Sequence, residues 1–327
     1  MALRDHPRIG AETRAKVRAL SQKIGYVPDP FLSGLSAYRK RRRPSGFHGT
    51  LAWLSNYPQG RSWRQIPEFA AYHAGAERCA RELGYVLEEH RLRAPGMTDQ
   101  RMRQILIARR IDGIIVAPQP EPGVTLSFPF DSFCAVALGY SLAKPNLNIV
   151  TGHHFRSCER GLQHLFALGY RRPGLALHDR VDERTNRIWS SAFWSRQRDL
   201  PAEDQIPPLL GRPLTEESFL RWFRDTRPDV IITIVPEALG WLRAAGVQVP
   251  GVVGFALLNL PSVGAISGNW ANPEVIGKRA VETVVDMMHR GERGIPEIPT
   301  CVMVEGTWHH GRTLRRAPHA AKNRAKA

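Results

Sequence analysis

The segment from Val230 to Phe255 reads VIITIVPEALGWLRAAGVQVPGVVGF, and its apolar residues change their spacing along its length. Val230–Val235 is a continuous apolar run that is typical of a buried strand. Pro236–Ala245 predicts a short helix with proline in its first turn, and Gly251–Phe255 predicts a second strand. A strand, a helix and a strand in this order indicate two parallel strands joined by a helical crossover.

The same alternation continues on both sides of this segment. Further helices are predicted at Glu68–Leu83, Asp99–Arg109, His154–Leu168, Glu183–Gln197, Glu216–Arg224 and Pro273–His289. Further strands are predicted at Thr50–Asn56, Tyr85–Glu89, Gly113–Ala117, Phe133–Leu138, Gly174–Leu177 and Cys301–Glu305. Repeated units of this kind form parallel sheets with helices on both faces. Two such sheets leave a cleft where the carboxyl ends of the strands meet, and ligands bind in such crevices.

Positive charge is concentrated at the two ends of the chain. The net charge is +16, of which residues 1–49 carry +8 (11 Lys/Arg and 3 Asp/Glu) and residues 312–327 carry +6. Only +2 remains for the 262 residues between them. Clustered Lys and Arg on a nearly neutral body indicate binding to a polyanion such as nucleic acid. For the C-terminal run, a solvated tail is the alternative.

Several classes of protein find no support in the sequence. No stretch approaches the roughly 18–20 apolar residues of a membrane helix, and the N-terminus lacks the apolar core of a secretory signal. We therefore expect a cytoplasmic protein that does not bind membranes. No catalytic, nucleotide-binding or metal-binding motif occurs, so we expect neither an enzyme nor a cofactor or metal. Reduced thiols are expected at the widely spaced Cys79, Cys134, Cys158 and Cys301.

The N-terminal segment carries the most specific pattern. Residues 11–24 predict a helix with one apolar face, formed by Thr13, Val17, Leu20 and Ile24. The sequence around it reads LRDHPRIGAETR from Leu3 to Arg14 and IGYVPDP from Ile24 to Pro30. This ordered pattern closely resembles the second half of the helix-turn-helix headpiece in the LacI/GalR (lactose-repressor) family. The resemblance implies a recognition helix in the major groove of DNA and a hinge helix in the minor groove.

The resemblance also implies roles for individual residues. DNA contacts are expected from Arg4, Arg8, Thr13, Leu35, Arg39 and Arg41. Arg4 would lie near the end of the recognition helix, and Arg8 and Thr13 match positions that hold phosphates. Leu35 matches the hinge leucine that wedges between base pairs, and its alternative is an ordinary linker residue. Arg39–Arg43 would follow phosphates, or would form only a flexible basic linker.

Part of the family's headpiece has no counterpart in the sequence. The first helix and most of the recognition helix would lie before Met1. The apolar face of helix 11–24 then has no partner, and a helix this short is marginally stable alone. We expect that the start has been assigned too late or that the chain has been trimmed. The alternative is a protein that no longer reads a DNA sequence.

Residues 49–312 resemble the family's effector-binding sensor, which has a periplasmic-binding-protein-like fold. Asn186-Arg187-Ile-Trp-Ser falls where the family has Arg-x-x-Gly-Phe, and the Arg there binds effector. Arg187 is therefore the foremost candidate for an effector contact, because a guanidinium can hold hydroxyls or carboxylates. Further candidates at strand ends and cleft loops are Asn56, Trp63, Asp179, Glu183, Trp270 and Asn272. Simple packing or a surface position is the alternative for each.

The sensor departs from the family at two places. Sugar-binding members often have Asn-Asp after the strand at 230–235 and Asp-Asp after Gly-Phe. Here those places hold Ile234-Val235 and Ala256-Leu257. The family implies a sugar or a related metabolite as effector, but sugar hydroxyls need polar partners. The sequence therefore favours a larger, more apolar or anionic ligand over a plain hexose, with a sensor that takes no small molecule as the alternative.

The expected fold class is α/β, with a two-lobed periplasmic-binding-protein-like (type I) sensor preceded by a partial all-α headpiece. We expect a helix-turn-helix remnant at 1–28, a hinge helix and basic linker at 29–48, the effector-binding and dimerisation domain at 49–312, and a basic disordered tail at 313–327. The predicted function is a homodimeric transcription repressor that binds double-stranded operator DNA and responds to a small-molecule effector. The alternatives are a solute-binding protein without a DNA role and a truncated dimerisation partner.

Overall fold

The computed structural model describes residues 10–23, 48–211 and 213–315. One helix precedes two α/β lobes, each built on a six-stranded sheet. The helices are α1 Ala11–Lys23, α2 Pro67–Glu82, α3 Asp99–Ala108, α4 His154–Ala167, α5 Asp179–Arg184, α6 Ile188–Gln197, α7 Glu216–Thr226, α8 Ala238–Ala244 and α9 Pro273–Arg290. The strands are β1 Gly49–Ser55, β2 Tyr85–Arg91, β3 Gly113–Val116, β4 Val124–Thr125, β5 Cys134–Leu138, β6 Leu142–Lys144, β7 Asn148–Gly152, β8 Pro173–His178, β9 Leu209–Gly211, β10 Val230–Thr233, β11 Gly254–Leu257, β12 Ser267–Trp270, β13 Cys301–Val304 and β14 Thr307–His309.

Lobe 1 is built on the parallel sheet β13-β7-β5-β3-β1-β2. Helices α2 and α9 pack on one face of the sheet, and α3 packs on the other. Successive side chains of a strand point to opposite faces. Leu51 and Trp53 of β1 accordingly join the core under α2 and α9, whereas Ala52 and Leu54 join the core under α3. Both faces are apolar, which confirms the expectation from the uninterrupted apolar runs.

Lobe 2 is built on the sheet β14-β12-β11-β10-β8-β9. Helices α4 and α6 pack on one face through residues such as Leu162 and Phe193. Helices α7 and α8 pack on the other face through residues such as Phe219 and Leu242. The strands are parallel except that β14 runs antiparallel to β12 at the edge. The predicted class of two parallel α/β sheets is therefore confirmed, with one antiparallel strand at an edge.

Helices α2 and α9 touch through their backbones. A Cβ atom on Gly277 of α9 would lie 1.8 Å from the carbonyl oxygen of Tyr72, and one on Gly75 of α2 would lie 2.0 Å from that of Glu274. No side chain fits at such distances, so both positions need glycine. The close contact fixes the N-terminal half of α2, which lies beside the cleft.

The described chain passes between the lobes three times, at residues 152–154, 270–273 and 304–307. These three connections hydrogen-bond to one another. The amide of His153 donates to the carbonyl oxygen of Val304 at 2.8 Å. Asn272 Nδ2 donates to the carbonyl oxygen of Glu305 at 2.8 Å and to Thr307 Oγ1 at 3.1 Å. The two lobes are therefore joined by three adjacent segments rather than by one linker.

The single helix predicted at Glu183–Gln197 is wrong, because the structure has two helices, α5 and α6, in that region. Asn186 and Arg187 adopt left-handed backbone angles, with φ of 54° and 58°, which a continuous helix does not allow. The buried carboxylate of Asp182 accepts hydrogen bonds from the amide and hydroxyl of Ser190, at 3.1 and 2.5 Å. Asp182 thus satisfies free donors in the first turn of α6 and stabilises the break.

Two strands of five and four residues, β7 and β12, were not predicted from the sequence. β7 lies between β5 and β13, and β12 lies between β11 and β14. Their segments, NIVTG and SGNW, contain few apolar residues, so they lack the pattern of a buried strand. Both lie next to a connection between the lobes.

The N-terminal helix, the C-terminal tail, the absence of membrane spans and the state of the cysteines were also predicted from the sequence. Helix α1 is present, and Leu20 on it is 59% exposed. The hinge helix predicted within residues 29–48 and most of the C-terminal tail lie outside the described residues. Of the helices in the described ranges, none has the length and apolar character needed to span a membrane. All four cysteines are free thiols; Cys301 is exposed and the other three are buried.

A candidate ligand cavity between the lobes

A cavity of about 290 Å³ lies between the two lobes. Leu138 at the end of β5 and Pro118, two residues after β3, line it from lobe 1. Ile234 directly after β10 and Asn259, two residues after β11, line it from lobe 2. The cavity therefore lies at the carboxyl ends of both sheets, where the alternation of strands and helices predicts a ligand crevice.

Glu68 provides a carboxylate to this cavity. It lies in the first turn of α2, and Tyr72, one turn later, donates its hydroxyl to Glu68 Oε1 at 2.6 Å. Burial raises the pKa of Glu68 above its usual range, and hydrogen bonds from Tyr72 and Asn259 partly oppose this. Within the described ranges the carboxylate forms no ion pair, and Arg184 acts on it only as a more distant charge. No cation among the described residues therefore pairs directly with this acidic group in the cavity.

Arg184 closes one side of the cavity. Its Nη1 donates to the carbonyl oxygen of Gln119 in lobe 1 at 2.7 Å, and Nη2 donates to the same oxygen. Its guanidinium also lies over the ring of Phe69, 5.2 Å from the ring centroid. Arg184 comes from α5 of lobe 2, so both contacts cross between the lobes. This guanidinium is engaged by the protein itself.

A second contact between the lobes lies nearby. The carboxylate of Glu121 in lobe 1 accepts from Arg180 of lobe 2 and, at 3.2 Å, from Arg61 of lobe 1. Arg61 lies in the segment between β1 and α2. We call Arg61, Glu121 and Arg180 the interlobe bridge. All three side chains are at least one-third exposed, so each ion pair is weakened by solvent.

Two rings form another wall of the cavity. His154, the first residue of α4, lies with its ring 4.8 Å from that of Trp189 of α6. Burial, together with the nearby His153, lowers the pKa of His154 to about 4. The imidazole is therefore neutral at neutral pH. Trp189 lines the cavity and is only 3% exposed. Because an indole ring and a neutral imidazole form this wall, it is mostly apolar.

The structure brings three of the predicted effector residues together. Arg187 donates to Asp179 and to Glu183, each at 3.2 Å, and its side chain is 52% exposed. Its backbone is the left-handed residue between α5 and α6. The three side chains form a surface ion-pair group on lobe 2, and Glu183 also lines a separate groove beside Tyr140.

The other predicted effector residues lie apart from this group. Asn56 is 6% exposed; its Nδ2 donates to Gln119 and its Oδ1 accepts from Arg93. Trp63 is 2% exposed in the core of lobe 1, where its Nε1 donates to Glu89 at 2.9 Å. Trp270 packs on the core of lobe 2, and Asn272 ties two of the three connections together.

None of the seven predicted effector residues lines the cavity between the lobes. Their roles stay predictions. Of the predicted DNA contacts, Thr13 lies exposed in the first half of α1. The other five, Arg4, Arg8, Leu35, Arg39 and Arg41, lie outside the described residues.

Sequence reasoning missed the residues that do line the cavity. In the sequence, Glu68 looks like an ordinary acidic residue in the first turn of a helix, where its negative charge complements the helix dipole. His154 belongs to an adjacent His pair, and two neighbouring histidines carry no pattern that marks a ligand site. Trp189 stands two residues after Arg187, so the motif at 186–190 lies in a segment that reaches the cavity, although the pattern singled out another side chain. Only Ile234 was singled out, as a departure from sugar-binding relatives.

The fold can be compared with known proteins. No family model matches the sequence, and no curated protein matches it either. Among solved structures, a LacI-family transcriptional regulator from Rhizobium etli is similar over 81% of this chain and 98% of its own, with 14% identity and a TM-score of 0.63. The chain has the fold of LacI-family regulators.

Two further structures with the LacI-type fold carry ligands. The transcriptional regulator CelR in complex with cellobiose is 17% identical, with a TM-score of 0.56, over 95% of this chain and 94% of its own. The lac repressor dimer bound to operator and the anti-inducer ONPF is 13% identical, with a TM-score of 0.57, over 94% of this chain and 92% of its own. The LacI-type fold here includes both lobes and the three connections between them.

Proposed function

We propose that this chain is a transcription regulator that binds DNA and whose affinity for DNA is controlled by a small molecule held between the lobes. The observation that carries the proposal is the cavity, because its walls come from both lobes. A ligand there contacts both lobes and changes their relative position, which is how a bound molecule acts at a distance. This chain shares its fold with a regulator solved with cellobiose and with a repressor solved on its operator, which supports the proposed function.

The proposed DNA-binding part is the basic N-terminal segment. Residues 1–49 carry a net charge of +8, which suits contact with phosphates. Helix α1 lies in this segment, and its exposed Leu20 belongs to the apolar face that the resemblance would pack inside a headpiece. We assign DNA contacts to Arg4, Arg8, Thr13, Leu35, Arg39 and Arg41. A homodimer would place two such segments on the halves of a two-fold symmetric operator.

We propose the domain organisation that the sequence analysis predicts. Residues 1–28 and 29–48 would form the headpiece part and the hinge with its linker, 49–312 the effector-binding and dimerisation domain, and 313–327 a basic tail. The proposed site of action is the cytoplasm, where the DNA is. The function needs binding and a change of conformation but no catalytic step, so we assign no enzymatic activity.

A selection experiment tests the DNA-binding function. The protein is produced from its whole reading frame, with any in-frame codons before Met1, and is used to select duplexes from a random library. We expect the selected duplexes to share a two-fold symmetric sequence and to bind more tightly than random DNA. Their affinity should fall steeply as the salt concentration rises, because bound Lys and Arg release counterions.

Single substitutions localise the contact. Arg8→Ala should weaken binding to all duplexes and reduce the slope of log affinity against log salt by about 1. Arg221→Ala is the matched control, because Arg221 is an exposed arginine on α7 of lobe 2 that pairs with Glu217. If the protein binds every duplex with the same affinity, or if Arg221→Ala has the effect of Arg8→Ala, the proposed function is wrong.

A further inference from the structure

The lining of the cavity between the lobes indicates which class of molecule binds there, and this rests on the proposed function. One group in this lining is the carboxylate of Glu68, which has no ion-pair partner among the described residues. Tyr72 and Asn259 hydrogen-bond to it but supply no charge. A partly buried carboxylate that no cation pairs with directly is unfavourable, and a cationic ligand would supply that pairing.

The walls around Glu68 suit a cation as well. Aromatic rings of Phe69, Tyr72 and Trp189 line the same cavity. The faces of aromatic rings attract an ammonium group through their quadrupole, and the attraction is stronger where water is excluded. Between these rings and the apolar Leu138 and Ile234, a flat ring would find mostly hydrocarbon contacts. The cavity therefore matches a ring with one cationic group.

An anionic ligand fits this cavity poorly. Arg184 lines it, but its guanidinium already donates to the Gln119 carbonyl oxygen and lies over Phe69. His154 is neutral at neutral pH because its pKa is about 4. An anion would meet the Glu68 carboxylate without a free positive group to balance it. This narrows the expectation from the sequence, which allowed an apolar or an anionic effector.

A sugar also fits poorly, because most of the exposed wall surface is apolar, although Ser141, Thr151 and Asn259 offer polar groups. Val181, Ile66 and Ile234 line the cavity where hydroxyls would need partners. Each hydroxyl that loses water without gaining a partner lowers affinity by roughly tenfold. Ile234 stands where sugar-binding members of the LacI family often have Asn, so the departure seen in the sequence lies on the cavity wall.

We propose that the cavity between the lobes binds a compact aromatic amine, with the ammonium group at Glu68 and the ring against Trp189. The cavity volume of about 290 Å³ sets the size of the ligand. A cavity of about 150 Å³ holds one benzene molecule, so this one takes a ligand of about a dozen non-hydrogen atoms. Ring amines of one or two fused rings have that size.

The test measures binding to purified protein by titration calorimetry near neutral pH, without DNA. The amine probes are tryptamine, phenethylamine and benzylamine. Indole and 3-ethylindole are neutral probes of similar shape, indole-3-propionate is the anionic probe, and glucose is the sugar probe. We expect one or more amines to bind at least about tenfold more tightly than every other probe, since a buried charged hydrogen bond contributes that much or more. If no amine binds up to its solubility, or if the anion or glucose binds most tightly, the proposal is wrong.

Matched variants separate the role of the charge from general packing. Glu68→Gln keeps a hydrogen-bonding side chain of the same shape, so the amine should lose about tenfold in affinity and the neutral probes should keep theirs. Glu77→Gln removes an exposed carboxylate from the same helix, where it lies near Arg81, and should change neither. Thermal unfolding shows that both variants are folded. If folded Glu68→Gln binds the amine as tightly as the unchanged protein, the assignment of the ammonium site is wrong.

The calorimetric result and the DNA selection are independent. Failure of every amine in calorimetry overturns only the ligand class, because the selection of duplexes needs no ligand. Failure of the selection overturns the regulator function but leaves a measured amine affinity standing. Where both succeed, adding the amine to the selected duplex complex should change the affinity for DNA, as linkage between the two sites requires.

Discussion

At the scale of single residues, the cavity is set by groups whose ionisation differs from that of the same groups in water. Glu68 holds its proton more tightly than usual, and His154 holds its proton less tightly. Burial is the main cause in both cases, because it disfavours the charged form of either group. Both residues stand at the beginning of a helix and face the same cavity.

The low pKa of His154 predicts how stability depends on pH. Its pKa falls from an ordinary 6.5 in the unfolded chain to about 4 in the folded protein. The unfolded chain therefore binds more protons between these values, and the free energy of unfolding decreases as the pH falls through this range. Between about pH 7.5 and about pH 5, His154 should contribute about 2 kcal/mol to this loss, measured by chemical denaturation.

A variant isolates this contribution. His154→Phe keeps a ring beside Trp189 but cannot take up a proton, so the loss of stability towards pH 5 should be smaller by about 2 kcal/mol. His48→Phe is the control, because His48 is an exposed histidine at the start of lobe 1. Equal pH dependence in the unchanged protein and in His154→Phe would contradict the prediction.

The sequence located the site only in part, and for a physical reason. The carboxyl ends of β3, β5, β10 and β11 follow from the apolar runs, so the position of the crevice was predictable. Which side chains face it was not, because α2 and the break between α5 and α6 decide this. The residue chosen from the motif, Arg187, takes a left-handed backbone at that break and pairs with Asp179 and Glu183.

At the scale of elements, the contact of α2 with α9 makes a sharp prediction. Gly277→Ala would place a Cβ atom 1.8 Å from the Tyr72 carbonyl oxygen, and the backbone of α2 would have to move. We expect the free energy of unfolding to fall by about 3 kcal/mol, as for other overpacked sites. Urea denaturation at neutral pH measures the change.

Gly240→Ala provides the matched control. Gly240 also lies in a helix, α8, but a Cβ atom there would have no heavy atom within 4 Å. Alanine favours the helical backbone over glycine, so this variant should be unchanged or more stable by about 1 kcal/mol. If the two variants lose the same stability, close backbone contact is not what position 277 requires.

Helices and strands were predictable from the sequence where a single pattern of apolar residues dominated. The apolar runs of β1, β3, β5 and β10 and the stripes of α2, α4 and α9 gave the right type of element and nearly the right bounds. β7 and β12 were missed because their segments, NIVTG and SGNW, contain few apolar residues and lack the pattern of a buried strand. The break at Asn186 was missed because it depends on the buried Asp182, whose role shows only in three dimensions.

At the scale of the whole molecule, the interlobe bridge should bias the lobes towards the closed arrangement. Glu121→Gln removes the charge that holds Arg61 and Arg180. Both ion pairs are partly exposed, so the free energy of unfolding should fall by less than about 1 kcal/mol. The lobes of the unliganded protein should nevertheless open more often, which small-angle scattering would detect as a larger radius of gyration.

The control variant also removes one negative charge, but at a position away from the contact between the lobes. Glu217→Gln breaks an ion pair with Arg221 inside α7, so it leaves the contact between the lobes intact. Its radius of gyration should equal that of the unchanged protein. An unchanged radius in Glu121→Gln as well would show that this bridge does not hold the lobes together.

The three connections between the lobes also restrict how the molecule can move. Because 152–154, 270–273 and 304–307 hydrogen-bond side by side, sliding or twisting one lobe against the other would break those bonds. Bending across the row keeps them. The protein thus has a single easy degree of freedom, an opening angle. Whatever enters the cavity can be registered only as a larger or smaller value of that angle.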